Sequence, residues 1–461
     1  MIKQVFYYST NRNLSKKGHI HPFKGLLSFK EALLMGQAPD EGLFMPDFIP
    51  TLAMSEIEKL RGLSYQDVAF FIARLFLAHE FSDDVLQAVV KEAYNFPVPL
   101  ERVYDRKYLL RLDQGPTASF KDFAARMMAR LMSHCLKEGE QLNILVATSG
   151  DTGSAVGAAF HGVAGINVYI LYPQTEVSPR QKKQLDSIGD NVHALSIEGK
   201  FDDCQSLVKE AFADADLAKY NLTSANSINF GRILPQIIYY FYAYANVTSH
   251  EEKIVFSVPS GNFGNALGCE FARRMGLPVY KLLVPTNEND EFPRFLKTGH
   301  YEKVSPSRAC LSNAMNVGHP SNLARFFDLY GGTIDRKGFV HKYPDIEEMR
   351  RRLFSVSVSD EETRDTIKRV YVNFGVLLEP HGAVGWRGLE VFMEKEGNFE
   401  PAVVLETAHP AKFPEEINNL LGIAPELPPS LKEIDAKEGI SIALPADYRA
   451  FKDFLLSNLK K

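Results

Sequence analysis

The sequence predicts an α/β protein with two sheet-containing domains facing a cleft, preceded by a mainly helical N-terminal domain. Three observations point there. From Tyr108 onward, short apolar runs alternate with amphipathic stretches, the rhythm of largely parallel sheets with helical crossovers. Before that point most apolar residues recur at helical spacing. A chain of 461 residues also exceeds what one hydrophobic core usually serves, so two or three units are expected.

A short strand is expected at 5–8. Ser28-Phe-Lys-Glu31 reads as a capping box ahead of Ala32, Leu33 and Leu34, and Ser64-Tyr-Gln-Asp67 introduces Val68, Phe71, Ile72 and Leu75 at helical spacing. A third helix carries Leu86, Val89, Val90 and Ala93. These helices make a cap-like domain over 1–98. Between the first two runs Gly36-Gln-Ala-Pro-Asp-Glu-Gly-Leu-Phe-Met-Pro46, whose glycines and prolines impose irregular backbone. His19 and His21 precede it, but no carboxylate or cysteine stands at ligand spacing, so a solvated loop is expected and no metal.

The apolar runs at 142–147, 166–172 and 192–197 are each followed by a helix-like segment, which suggests one small sheet with right-handed crossovers, a domain over 136–224. A helix over 232–245, a strand at 254–258, a helix reaching 275 and a strand at 279–284 form a second series. If 107–112 and 403–406 join it, the larger domain spans 99–135 and 225–461 and the small one is inserted in it. A ligand cleft then lies between the two. Residues 286–370, rich in Asn, Ser, Arg and Phe, read as an irregular insertion of loop and helix without a strand-helix rhythm. A last helix at 447–459 closes the chain, and its tail is expected on the surface.

The hydrophobic fraction of 45% and charged fraction of 24% are those of a soluble globular protein, and a net charge of -5 leaves no electrostatic footprint for nucleic acid. No apolar run reaches the length of a membrane span, and Met1-Ile-Lys-Gln-Val-Phe-Tyr-Tyr-Ser lacks a charged-then-apolar leader. Cys135, Cys204, Cys269 and Cys310 lie far apart with no C-x-x-C pair, which argues against a zinc site and a disulfide framework. A cytoplasmic protein is expected.

Four stretches carry chemistry. In Ser119-Phe-Lys-Asp122, after the turn Gly115-Pro116-Thr117, the spacing of Phe120, Phe123, Ala124, Met127 and Leu131 puts Lys121 on the first turn of an amphipathic helix. Partial desolvation and the positive end of the helix dipole both disfavour its ammonium form. Such a lysine is either a solvated residue at a helix start or an amine nucleophile suited to a Schiff base, for which pyridoxal phosphate is the commonest carbonyl partner. Thr148-Ser-Gly-Asp-Thr-Gly-Ser154 follows a buried strand and opens a helix, so it is either a well-capped turn or an anion cradle suited to a carboxylate. Ser260-Gly-Asn-Phe-Gly-Asn265 repeats that arrangement. It matches neither a Walker loop nor G-x-G-x-x-G, and suits a phosphate monoester held by backbone N–H groups. Asn226-Ser-Ile-Asn-Phe-Gly-Arg232 offers amide, hydroxyl and guanidinium groups, either a loop with a surface arginine or a second phosphate grip.

With these residues in view the chain resembles the threonine synthases, pyridoxal-phosphate enzymes of the fold type II, tryptophan synthase β-like group. The resemblance rests on Tyr8-Ser-Thr10, Ala38-Pro-Asp-x-Gly42-Leu, Ser119-Phe-Lys-Asp122, Ser149-Gly-Asp-Thr-Gly153, Asn226-Ser-x-Asn229 with Arg232, Gly261-Asn-Phe-Gly-Asn265 and Glu406-Thr-Ala-His-Pro-Ala-Lys-Phe413, which span nearly the whole chain. Glu41-Gly42 stands where the family usually has two glycines.

The resemblance implies that Lys121 holds pyridoxal 5'-phosphate as a Schiff base, with Phe120 beside it. It further implies that Gly261, Asn262, Phe263, Gly264 and Asn265 hold its phosphate, that Thr407 meets the pyridine nitrogen and that Asp151, or a neighbour in its loop, lies near the ring hydroxyl. Thr148, Ser149 and Thr152 would hold substrate, with Asn226, Ser227 and Arg232 on its phosphate. The implied reaction converts O-phospho-L-homoserine and water into L-threonine and phosphate, in a monomer or homodimer. The alternatives are a fold type II threonine or serine dehydratase-like lyase, which needs no second phosphate site, and a non-catalytic threonine-synthase-like binding protein.

Overall fold

The computed structural model describes residues 2–14, 21–397, 399–435 and 437–459. His19 and Met1 lie outside the described residues. Two open sheets organise the rest. The larger has six strands in the order Leu353–Phe354, Val279–Leu283, Ile254–Ser257, Ala402–Glu406, Lys107–Arg111 and Leu100–Tyr104. It is parallel except for the last pair, a tight hairpin. The smaller has five strands, all parallel, in the order Ile442–Pro445, Val192–Glu198, Ile166–Pro173, Leu142–Ala147 and Leu222–Ser224.

Continuous apolar runs suit such sheets because helices cover both faces. Every residue of Leu142–Ala147 and of Ile166–Pro173 is buried. In the larger sheet successive side chains alternate between two cores, as a pleated strand requires. Ile254, Phe256, Val403 and Leu405 join the main core shared with the N-terminal helices, whereas Val255, Ala402 and Val404 pack beneath Trp386 and Leu389 of Pro380–Glu396.

The N-terminal helices start where their caps stand. Ser28 and Glu31 form a reciprocal capping box at Phe29–Met35, and Ser64 caps Tyr65–Leu77 by accepting the Asp67 N–H. The first strand is Tyr7–Ser9 and pairs antiparallel with Phe44–Pro46, a strand hidden from the sequence by the turn residues before it. Asp40 organises that turn by accepting Ser9 Oγ at 2.6 Å, the Gly42 N–H at 3.0 Å and the Phe23 N–H at 2.8 Å. Glu41 there has φ 64°, a left-handed conformation that glycine adopts without strain, which accounts physically for the family's glycine at this place. Its carboxylate reaches Arg336 at 2.7 Å.

The C-terminal segment departs from expectation. Ile442–Pro445 adds an edge strand to the smaller sheet, and Tyr448–Asn458 packs on that sheet's outer face, with Phe451 and Leu455 fully buried beside Leu207 and Leu217. The last helix is therefore packed into the fold, its final turn exposed, and residues 442–459 lie with the smaller sheet although they follow the larger one in sequence. A four-residue edge strand with mostly exposed side chains carries no apolar run to betray it. Leu455→Ala should destabilise the fold by about 2–4 kcal/mol through lost burial and a residual cavity, read as a lower urea midpoint.

Residues 286–370 hold more order than their sequence suggests. Helices Glu291–Thr298, Leu323–Leu329, Ile346–Arg352 and Asp360–Phe374 are joined by a ribbon of Thr333–Ile334 with Val340–Lys342. Leu353–Phe354 then extends the larger sheet, a strand too short to show a period.

Candidate active site

The chemistry-bearing loops all leave the carboxyl ends of parallel strands, the position at which open α/β sheets bind ligands. Lys107–Arg111 leads to Lys121, Ala402–Glu406 to Thr407, Ile254–Ser257 to the turn at 260–265, Leu142–Ala147 to the turn at 148–150, and Leu222–Ser224 to Asn226 and Ser227. Phe120, Lys121, Thr148, Ser149, Asp151, Thr152, Asn226, Ser227, Arg232, Gly261, Asn262, Phe263, Gly264, Asn265 and Thr407 line one cavity between the two sheets.

Lys121 is the first residue of Lys121–Ser133 and half-buried, with Nζ 4.3 Å from the centre of the Phe120 ring. The Phe120 N–H donates to the Thr407 carbonyl at 2.9 Å, which joins the lysine's helix to the end of the neighbouring strand. Behind it Asp122 accepts the Thr117 N–H and hydroxyl, each at 2.8 Å. A Cβ on Gly115 would sit 2.4 Å from that carboxylate, so this turn needs a glycine. Burial pushes the Lys121 ammonium down to about 8; Asp151 opposes the shift, and the cations of Arg232 and Lys412 add to it.

The turn before Gly264–Arg274 leaves a run of backbone N–H groups unpaired among the described residues. Phe263 adopts φ 61°, held there by edge contacts with Phe292 and Phe326 at centroid distances of 4.9 and 6.2 Å. Among the described residues no acceptor meets the N–H groups of Gly261, Asn262, Phe263, Gly264 or Asn265. A Cβ on Gly261 would lie 2.8 Å from the Ala314 carbonyl oxygen, so only glycine lets that wall close. Asn265 points inward: it donates to the Pro259 carbonyl and accepts from Ser260 Oγ and the Ala266 N–H, so its side chain holds the turn while its backbone faces the cavity.

In the loop after Leu142–Ala147, Thr148 Oγ1 accepts the N–H groups of Gly150 and Gly153, both at 2.9 Å. Asp151 is turned toward Lys412, with Nζ 2.6 Å from Oδ1 and both side chains buried, and Gln181 Nε2 donates to the same oxygen at 3.2 Å. Burial works against its ionised form, yet the ammonium groups of Lys412 and Lys121 outweigh burial and hold Asp151 at about 2. This pair bridges the two sheets beside the lysine.

Arg232 stands on a 3₁₀ turn just before Leu234–Val247 and is 2% exposed. Nη1 donates to the Ala225 carbonyl at 2.9 Å, but buried Nε has no partner and no carboxylate is within ion-pair reach among the described residues. Burial lowers this guanidinium to about 10, with Asp122 opposing. A buried guanidinium left unpaired by the protein calls for an anion. Asn226 donates to the Ala147 carbonyl at 3.0 Å, which sets the loop against the smaller sheet.

Sequence reasoning missed the floor beneath Thr407. Its hydroxyl lies 3.3 Å from Glu379 Oε1. Glu379 caps Pro380–Glu396 and already accepts the N–H groups of His381 and Gly382, at 2.7 and 2.9 Å, and His381 Nδ1 at 2.6 Å. His381 Nε2 accepts the Ala314 N–H at 3.1 Å, so the imidazole bridges this carboxylate to the cavity wall. Next to it burial, reinforced by the Glu379 charge and opposed by Arg111, raises Glu406 far above the usual carboxyl range. The only signal was Glu379-Pro-His381 before a helix, in a stretch given no element.

Known proteins match this chain along its length. Residues 97–407 match the family described as pyridoxal-phosphate dependent enzyme, 8–94 the threonine synthase N terminus and 382–455 the threonine synthase C-terminal family. The threonine synthase of Haemophilus influenzae is 39% identical over 434 residues, covering 94% of this chain and 97% of that one. That of Escherichia coli is 37% identical over 434 residues, with coverage of 94% and 97%. The crystal structure of threonine synthase with bound pyridoxal phosphate from Brucella melitensis superposes with a TM-score of 0.89 at 35% identity, covering 99% of this chain and 100% of that one. The Escherichia coli crystal structure gives 0.86 at 36% identity, with coverage of 98% and 99%. The chain belongs to the threonine synthase family of fold type II pyridoxal-phosphate enzymes.

Proposed function

We propose that the protein is a threonine synthase, which converts O-phospho-L-homoserine and water into L-threonine and phosphate with pyridoxal 5'-phosphate as cofactor. One observation carries the reading: a buried arginine with an unpaired Nε and a turn of unpaired N–H groups line the same cavity as a half-buried amine. Two anion positions around one nucleophilic nitrogen suit a phosphorylated cofactor and a phosphorylated substrate.

The residues fit the cofactor. Gly261, Asn262, Phe263, Gly264 and Asn265 would hold its phosphate through backbone donors, Lys121 would supply the amine for its aldehyde, and Phe120 would flank it. The Thr407 hydroxyl meets the ring nitrogen; its contact to Glu379 is the longest of the four that carboxylate accepts, so it is the easiest to give up. Asp151, ion-paired with Lys412, contributes a fixed charge near the ring hydroxyl. When bound, the cofactor supplies an electron sink that stabilises negative charge at the substrate's carbons.

Thr148, Ser149 and Thr152 hold the substrate carboxylate, while Asn226, Ser227 and Arg232 hold its phosphate. Lys121 moves protons at the α and β carbons. Phosphate leaves from the γ carbon toward Arg232, the γ carbon takes up a proton to become the methyl group, and water adds at the β carbon. The Asp151–Lys412 pair keeps the two sheets together around Lys121 and limits water to what the reaction uses. All these groups come from one chain, which supports a site complete in a monomer or in each half of a homodimer. The four cysteines are free, which supports a reducing, cytoplasmic setting. Among the described residues no helix is long and apolar enough to cross a membrane.

The test incubates the purified holoenzyme with O-phospho-L-homoserine and follows phosphate and threonine together. Equal amounts of the two are expected. Phosphate released without threonine would indicate elimination followed by loss of a keto acid, and would overturn the synthase reading.

A further inference from the structure

Arg325, on Leu323–Leu329, is fully buried. It has no carboxylate partner among the described residues, and its acceptors are all neutral. Nε donates to the Phe44 carbonyl at 3.0 Å, Nη1 to the Ser227 carbonyl at 2.9 Å and to Asn322 Oδ1 at 2.6 Å, and Nη2 to the Ile228 carbonyl at 2.6 Å. Burial pushes this cation down to about 9. Asn322 in turn donates from Nδ2 to the Asn262 carbonyl at 3.0 Å. One guanidinium from the segment with no legible role thus holds the Phe44–Pro46 strand and the Ser227 turn, and through Asn322 it reaches the 260–265 turn proposed for the cofactor's phosphate.

Burying a cation without a counter-anion is costly, and neutral carbonyls offset the cost only in part. The placement points to what supplies the remainder. In a trans peptide the N–H lies opposite the C=O, so a grip on the Ser227 carbonyl turns the Ile228 N–H away from Arg325. Neither that N–H nor the Ser227 N–H has an acceptor among the described residues. A cation on the carbonyl side also polarises the peptide and strengthens its N–H as a donor. Ser227 and Arg232 line the same cavity.

We propose that Arg325 is a positioning residue for the substrate's phosphate: it fixes and polarises the Ser227–Ile228 peptide, and its unbalanced charge is matched when the phosphorylated substrate binds. This rests on the reading that the 226–232 turn takes that phosphate. A purely structural staple would lower stability and leave the constants for phosphate ligands unchanged.

The experiment uses holoenzymes carrying Arg325→Met and Arg325→Lys and measures KM and kcat for O-phospho-L-homoserine, inhibition by inorganic phosphate, cofactor absorbance and Tm. Arg325→Met should raise both KM and the phosphate inhibition constant by about tenfold or more, with a smaller change in kcat and with cofactor absorbance retained. Arg325→Lys keeps the charge but not the fork, so it should lie between, and it carries the test alone if the methionine variant does not fold. A lower Tm with both constants unchanged, while phosphate competes with substrate in the unaltered enzyme, would overturn the role of Arg325 alone. Phosphate that fails to compete in the unaltered enzyme would overturn the phosphate site itself, and this proposal with it.

Discussion

Lys121→Ala is expected to lose covalent attachment of the cofactor and to slow turnover of O-phospho-L-homoserine by at least about 10⁴-fold, because in the proposed site one amine serves as both nucleophile and proton carrier. Borohydride reduction of the unaltered holoenzyme should fix the cofactor on the peptide containing Lys121. Label on another lysine sinks the site assignment. The environment of the amine makes a second, graded prediction. With the ammonium pushed down to about 8, about one amine in ten is neutral at pH 7, against about one in three thousand at the ordinary 10.5. Only the neutral amine attacks an aldehyde. Cofactor uptake by the apoprotein should therefore climb about tenfold per pH unit up to about pH 8 and then level off, followed by absorbance in stopped flow. A rise continuing toward pH 10 would mean that burial does not tune this lysine.

The sign for stability follows from the same shift. A cation whose folded-state pKa is lowered binds fewer protons in the folded than in the unfolded chain between about pH 8 and 10.5. Its contribution to apoprotein stability thus rises with pH across that window, and it is a net cost below it. The site accepts that cost to keep a reactive amine beside two cations, Arg232 and Lys412.

Local chemistry explains which parts of the site were legible. Thr148 to Ser154 and Ser260 to Asn265 each combine an apolar strand, a glycine turn and a helix start within a dozen residues, so spacing alone reports a strand-to-helix turn of a kind that suits an anion. The reading weakens where a role depends on a distant partner. Lys412 stood in a quoted motif, but nothing local says that its ammonium meets Asp151 from the smaller sheet. Glu379 sits before an unremarked helix and gains meaning only from Thr407 and His381. Arg325 looks like any arginine in an irregular stretch, yet all its acceptors but Asn322 come from far earlier in the chain. The same holds for the fold: strands with six or eight buried residues announce themselves, whereas Leu353–Phe354 and Ile442–Pro445 are defined by the strand they join.

Arg232 gives the second large effect, and two of its consequences run in opposite directions. Arg232→Ala removes the charged partner proposed for the substrate's phosphate from a buried site, a loss of about 2–5 kcal/mol, so kcat/KM should fall by about 30-fold to several thousand-fold. Cofactor absorbance should be retained, since the proposed place of the cofactor's phosphate is the Gly261–Asn265 backbone. Arg232→Lys keeps a charge but loses the fork that grips two oxygens, and should recover only part of the loss. A dehydratase-like lyase acting on an unphosphorylated hydroxy amino acid would lose little by either change, so near-normal kcat/KM in both variants would overturn the phosphate role. Stability should move the other way. Without ligand, the guanidinium is buried with Nε unpaired and, among the described residues, no carboxylate within ion-pair reach, an arrangement that costs stability. Arg232→Met, which fills similar space without charge, should therefore leave the ligand-free protein at least as stable in urea while turnover collapses. A residue whose removal harms only the reaction is retained for its ligand, and that pairing of outcomes separates a phosphate grip from a structural arginine.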